Sequence, residues 1–297
     1  MPVYSIWILE YSYSNKFHKS GVIYSAHNEG YIKLPYSYTV IKGSGHVAMV
    51  DVGYNNKDYA KEFAESLFVE NWHSPKVVLA EVGLTPEDVD TVFISHAHFD
   101  HFGNVGDFPN ATFYIQEREI AKWVWAMSLP ERMRFLLTGI DPGDILNGVE
   151  LARQRRLVCV DGDMDNVLPG INLHSAPDTH TYGSMWFSVR NDGKDESQDS
   201  WVLAGDLIYK FENLGDVSGK GGEPDGRYLP VGLAVGSQTN LINVTEEMVK
   251  LVGNETRRVL PPHEERLKDR YPSRITRNGL RVTEVTLAKG EKSRVVS

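Results

Sequence analysis

The chain has a single cysteine, Cys159, in 297 residues. An intrachain disulfide is therefore excluded, and apolar burial has to hold the fold. A lone thiol fits a reducing compartment. No apolar run approaches the roughly 18 residues that a membrane-spanning helix needs. The N-terminus has no basic segment followed by an apolar one, so no secretory signal is expected and the cytoplasm is the default location. Basic residues are also in short supply: 31 Lys and Arg stand against 40 Asp and Glu, a net charge of −9. Affinity for a phosphate backbone rests on Lys and Arg, so a nucleic-acid partner is not expected. There is no repeat of fixed short period and no linker that would split the chain. The expectation is one domain spanning 1–297.

What is present is a sizeable apolar fraction, 41%, with 24% charged residues, ordinary for a globular protein with a large core. Segments 3–11, 21–26, 36–42 and 46–52 are β-rich, with Gly43 and Gly45 turning a hairpin between the last two. An amphipathic helix is predicted over 57–70 from Tyr59, Phe63, Leu67 and Phe68. A short helix over 75–83 follows, then a helix start at Thr85 and Pro86. Val92-Phe93-Ile94 and residues 112–115 read as buried strands. Within 117–156 the stretches 119–127 and 131–138 read as helical. They carry Trp123, Trp125, Met127, Met133 and Phe135, which either cap a site or pack onto the core. Further strands are expected at 157–160, 171–175, 184–190, 201–205, 257–260 and 280–288, and a helix at 245–253. Residues 191–200 read as an exposed tip. Residues 215–227, with five glycines, read as a mobile loop.

The densest chemistry is His96-Ala97-His98-Phe99-Asp100-His101, directly after the 92–94 strand and just before Gly103. Residues i and i+2 of an extended chain point the same way, so His96 and His98 would present two imidazoles to one point. Asp100 and His101, a turn later, can serve a second point nearby. Imidazole and carboxylate are ordinary ligands for zinc and similar cations. Other candidates stand at strand ends: Asp51 before Gly53, His180 after Ala176-Pro177-Asp178-Thr179, Asp206 after Gly205, and His263 after Pro261-Pro262. Burying Asp206 bare would be costly, and two cations would supply its partner.

His-x-His-x-Asp-His resembles the signature of the metallo-β-lactamase superfamily. His101 stands where true β-lactamases lack this histidine, so the two-metal hydrolase branches match better. The segment before His180 is similar to the family's Pro-Gly-His-Thr, with Asp178-Thr179 in place of the glycine. The resemblance spans 96–263 and implies a four-layer αβ/βα sandwich, an α/β fold of two mixed β-sheets packed face to face with helices outside. It implies that His96, His98 and His180 hold one divalent ion, that Asp100, His101 and His263 hold another, and that Asp206 bridges. Zinc is the first expectation, with iron, manganese and cobalt compatible. Asp51 would either support the metal loop from behind or cap its turn. Two such ions would bring the pKa of a bound water toward roughly 7, giving a nucleophile without serine or cysteine.

Asp100 and Tyr209 are the expected catalytic residues. Tyr209 lies three residues after Asp206, as in the N-acyl homoserine lactone lactonases that the chain resembles. There the phenol is thought to hydrogen-bond the substrate carbonyl. The expected function is a two-metal hydrolase that opens a lactone or related cyclic ester. The alternative is a same-fold hydrolase of another ester, amide, thioester or phosphotriester. A di-iron redox protein would need a flavin-binding appendage, and a glyoxalase II-like thioesterase a glutathione-binding C-terminal segment, and neither is found in the sequence. A binding member without catalysis is at odds with seven intact ligands. The expected partner is a neutral or weakly charged small molecule with an apolar portion, with no nucleic acid and no membrane, and a homodimer is compatible with the chain.

Overall fold

The computed structural model describes residues 2–194, 197 and 199–295. The strands are β1 (Tyr4–His18), β2 (Tyr31–Gly43), β3 (His46–Val50), β4 (Val69–Glu70), β5 (Thr91–Phe93), β6 (Thr112–Gln116), β7 (Leu157–Val160), β8 (Met164–Leu168), β9 (Ile171–Pro177), β10 (Gly183–Arg190), β11 (Ser200–Leu203), β12 (Val259–Leu260), β13 (Ser273–Ile275) and β14 (Arg281–Thr286). The α-helices are α1 (Asp58–Ser66), α2 (Pro75–Leu79), α3 (Phe99–Phe102), α4 (Glu117–Met127), α5 (Pro142–Arg153) and α6 (Gln238–Leu251). One sheet runs β13-β14-β1-β2-β3-β5-β6-β7 with β4 added beside β1, and the other runs β12-β11-β10-β9-β8. Both are mixed: β3, β5, β6 and β7 pair in parallel, as do β11 and β12, and the rest are antiparallel.

Side-chain alternation builds the layers, since successive residues of a strand face opposite sides. Tyr4, Ile6 and Ile8 of β1 enter one apolar cluster with Ile171, Leu173, Phe187 and Val189 of the second sheet. Trp7, Leu9 and Tyr11 enter another that takes in Ala60 and Ala64 of α1, Trp123 of α4 and Met248 of α6. The same split holds at Val92 against Phe93 and at Trp186 against Phe187. Two sheets face to face with helices outside is the expected sandwich. The β2–β3 hairpin turns at Ser44 and Gly45, both at positive φ (51° and 84°), which matches the twist of a tight hairpin.

Several local expectations differ from the structure. Residues 21–26 form no strand. A short 3₁₀ turn at Lys19–Gly21 is capped by the His18 imidazole, and Ser25, Asn28 and Gly30 all take positive φ, which no strand accommodates. Residues 131–137 wind as 3₁₀ rather than α and bury none of their side chains, so no packing holds a wider helix. The longer helix of that region is α5, opened by Asp141, whose side chain accepts from Gly143 N, with Pro142 at its first position. Helix α6 starts well before 245, at Gln238, because Ser237 caps it. The loop at 215–227 is irregular but tied down: buried Asp216 accepts from Gly221 N at 3.0 Å and Thr256 Oγ1 at 2.8 Å and pairs with Arg270. The tip at 191–200 lies partly outside the described residues.

One buried group carries a stability prediction. Asp144 in the first turn of α5 is fully buried, and neither carboxylate oxygen has a hydrogen-bond partner. Burial, aided by Asp141, pushes its pKa from 3.8 up to about 8. The unfolded chain releases this proton near 3.8, whereas the folded protein keeps it to about 8. The folded state therefore holds more protons across that window, and this site loses stability as pH rises through it, levelling off above. Asp144→Asn removes the charge and keeps the shape. It should raise the melting temperature at pH 9 by several degrees and change it little near pH 4. Equal shifts at both pH values would refute this account.

Candidate metal centre

The candidate ligands gather at the C-terminal ends of parallel strands. Asp51 follows β3, His96 follows β5, Asp206 follows β11 and His263 follows β12. His180 sits in the turn between β9 and β10, and Asp100 and His101 lie in α3. All of these side chains are buried except that of His98, which is half-buried. Two groups of donor atoms result, each with its members within 4.8 Å of one another: His96, His98, His180 and Asp206, and Asp100, His101, Asp206 and His263.

The interatomic distances show how Asp206 serves both groups. His96 Nε2 and His180 Nε2 each lie 3.0 Å from His98 Nδ1, and 3.7 and 3.6 Å from Asp206 Oδ2. On the other side, His101 Nε2 and His263 Nε2 lie 3.3 and 3.1 Å from Asp206 Oδ1, and 3.4 and 3.8 Å from Asp100 Oδ2. One carboxylate thus turns an oxygen toward each group. The Tyr209 hydroxyl donates to Asp206 Oδ2, and its ring stacks on His263 with centroids 5.1 Å apart.

The far ring nitrogens set the tautomers. His180 Nδ1 donates to Leu233 O at 2.7 Å and His263 Nδ1 to Pro35 O at 2.6 Å. Carbonyls only accept, so in the neutral rings the Nε2 lone pairs face the centre. His101 Nδ1 lies 2.8 Å from Asp51 Oδ2. The same carboxylate accepts from Ser95 N and Ser95 Oγ, each at 2.8 Å, and Ser95 Oγ lies 3.0 Å from His96 Nδ1. Asp51, read from sequence as either a support or a turn cap, thus sits behind the histidine loop.

Burial and neighbouring rings hold His96 well below its ordinary pKa and bring His98 down to about 3. Both are therefore neutral, the form that binds cations. Burial opposes charge on His101 too, but Asp206, Asp100 and Asp51 around it prevail and raise its pKa well above the ordinary value. Burial works against the Asp206 carboxylate, and His101 and His263 outweigh it, so its pKa falls well below the ordinary range. Burial and the adjacent Asp206 raise the Tyr209 phenol well above its usual value, which keeps its proton in place.

His101 Nε2, His263 Nε2 and Asp206 Oδ1 are buried and lack a hydrogen-bond partner, though they converge. Unpaired buried polar atoms are costly. Cations between them would satisfy all three, and carboxylate oxygens with imidazole nitrogens suit divalent metals. The residues present fit two such ions.

A cavity of about 260 Å³ opens onto these groups. Phe17, Leu34, Phe63, Leu67, Phe135 and Val235 supply apolar wall, while His98, Asp100, His180, Tyr209 and His263 supply the polar floor. No lysine or arginine is among its lining residues. Of the five apolar residues of 117–156 singled out as a cap, only Phe135 lines it. Trp123 is fully buried instead, its indole N–H donating to Glu119 at 2.8 Å, while Trp125 is 45% exposed at the surface.

Sequence reasoning missed two buried supports. Glu119 accepts from Ala97 N, Trp123 Nε1, Thr181 Oγ1 and Gly183 N. Lys210 donates to the His263 carbonyl at 2.8 Å. Apart from Trp123, one helical turn from Glu119, their partners named here are 22 to 64 residues away, so little in the local sequence marks either residue.

Two face-to-face sheets with a histidine–aspartate cluster at their strand ends define a metallo-β-lactamase-like sandwich. The sequence model of the metallo-β-lactamase superfamily matches residues 32–263, and the chain belongs to that superfamily. It is 30% identical over 149 residues to the N-acyl homoserine lactonase AiiB of Agrobacterium fabrum, across 48% of this chain and 49% of that protein. The chain thus spans about half the length of the curated relatives it matches most extensively. Among solved structures, an N-acyl homoserine lactone hydrolase with N-hexanoyl-L-homoserine at its catalytic metal centre gives a TM-score of 0.63 at 20% identity, over 91% of this chain and 96% of that one. AidC, a dizinc quorum-quenching lactonase in complex with its product, gives 0.62 at 18% identity over 94% of each. At these identities the structural likeness is one of fold.

Proposed function

We propose that this protein is a two-metal hydrolase that opens a lactone or related cyclic ester. The observation that carries the reading is the pair of ligand groups sharing Asp206 at the floor of an apolar cavity. Two divalent ions held there, zinc first among the candidates, would supply a nucleophile near neutral pH and an electrophile for a carbonyl oxygen.

The chain's own residues do the rest. His96, His98 and His180 present three imidazoles, Asp100, His101 and His263 a carboxylate and two imidazoles, and Asp206 serves both sides. The Tyr209 hydroxyl, kept protonated, is a donor at the cavity wall. Turning it from Asp206 to a substrate carbonyl would stabilise charge developing there. Asp100 also lines the cavity; burial works to raise its pKa, yet His101 prevails and keeps it ionised. The apolar walls favour a substrate with an alkyl or aryl portion. Away from the metal groups the lining holds no lysine or arginine, which disfavours a substrate with a second anionic group remote from the reacting centre. The sequence similarity to AiiB supports a lactone over other esters.

The test is a substrate panel run on protein stripped with a chelator and then reloaded. Lactones with acyl chains should be hydrolysed only after zinc, manganese or cobalt is returned. Full activity in metal-free protein would sink the metal reading. Turnover confined to an unrelated ester, amide, thioester or phosphotriester would leave the metals in place and remove the lactone.

A further inference from the structure

We infer that Glu119 is a positioning residue that holds one of the two metal sites and not the other; the inference rests on the two-metal reading above. Its carboxylate is fully buried and bound on both oxygens. Oε1 accepts from Ala97 N at 2.9 Å and Trp123 Nε1 at 2.8 Å, and Oε2 accepts from Thr181 Oγ1 at 2.9 Å and Gly183 N at 2.6 Å. Ala97 sits between His96 and His98. Thr181 and Gly183 closely follow His180. A single side chain therefore ties together the two loops that carry all three histidines of one group.

The close approach is built into the backbone. A Cβ on Gly183 would lie 2.6 Å from Glu119 N and 2.9 Å from its Cβ, closer than real atoms come, so this position needs glycine for the first turn of α4 to reach the loop. Arg118, next along that turn, pairs with Asp178, two residues before His180. The start of α4 thus grips the His180 loop from both ends.

The second group draws on other supports. Asp51 reaches His101 directly, and His96 only through Ser95. Pro35 O orients His263, and Lys210 donates to the His263 carbonyl. None of Asp100, His101 and His263 contacts Glu119 among the described hydrogen bonds. Loss of Glu119 should therefore loosen one site and spare its neighbour.

The experiment is a metal titration of Glu119→Gln against the parent protein, with zinc against a competing chelator and with cobalt(II) followed by its visible absorption. An amide places an N–H₂ against two donors, so one anchored loop is released. The parent should take up two equivalents. The variant should bind one equivalent as tightly as the parent and the other about 10–100-fold more weakly, the usual cost of losing a partner behind a ligand. Its first cobalt spectrum should match that of His98→Ala, which retains the other group. A melting curve of the metal-free protein separates this selectivity from general destabilisation. Should Glu119→Gln fail to fold, Thr181→Val removes one donor to the same carboxylate and should weaken the same site by a smaller factor. Two unchanged affinities, or equal weakening of both sites, would overturn the inference while leaving the two-metal reading standing. Fewer than two equivalents in the parent would overturn that reading, and the inference with it.

Discussion

Asp206→Asn should lose both ions and nearly all activity. The substitution keeps the volume and removes the charge that two groups share. Asp206 Oδ1 faces His101 and His263, and Oδ2 faces His96 and His180. An amide offers one acceptor and one donor group, so at least one group would meet an N–H₂ where it needs a lone pair. Loss of the charge stabilisation supplied by two bound ions should lower kcat by on the order of 10³-fold or more, about 4 kcal/mol on the barrier. Metal analysis decides the cause. A variant that keeps two ions at parental affinity and turns over at the parental rate would show that Asp206 does not bridge. A variant that keeps both ions but loses rate would move its role from holding metal to acting on substrate, so both quantities are measured together.

The seven candidate ligands were legible because four of them fall within six residues and the rest stand at the ends of apolar runs, where buried strands deliver side chains to loops. The sandwich followed from alternating strands and from the resemblance those ligands carry. Of the supports, Asp51 was legible, through the resemblance, as one of two readings, and Glu119 and Lys210 were not. Glu119 meets Gly183 across 64 positions and Lys210 meets His263 across 53, and nothing in a local pattern encodes such pairings. Glu119 reads as an ordinary exposed residue in a helix start. The helical errors have a similar origin. Residues 131–137 show helical spacing but no buried face. The Asp141-Pro142 start of α5 is a usable local signal, an N-cap carboxylate followed by proline at the first position. The cavity wall was the least legible part, because Phe17, Leu34 and Leu233 come from segments far apart in sequence and meet only through the fold.

The other large effect is expected from Asp51→Asn, which should weaken the site opposite to that weakened by Glu119→Gln. Asp51 takes positive φ (64°), a conformation that asparagine tolerates and most residues do not, so the backbone can stay as it is. Its carboxylate collects Ser95 N, Ser95 Oγ and His101 Nδ1, each at 2.8 Å. An amide can accept on one atom only, which leaves a buried donor unpaired at a cost of about 1–3 kcal/mol. His101 loses the partner that fixes its tautomer, and metal affinity at the Asp100–His101–His263 group should drop about 10–100-fold. His96, reached only through Ser95, should be affected less. Chemical denaturation of the metal-free variant reads the first effect, and zinc titration the second. Parental stability and two parental affinities would reduce Asp51 to a turn cap. The combination with Glu119→Gln is the sharper comparison: if the two groups rest on separate supports, the double variant should lose both sites, whereas each single variant keeps one.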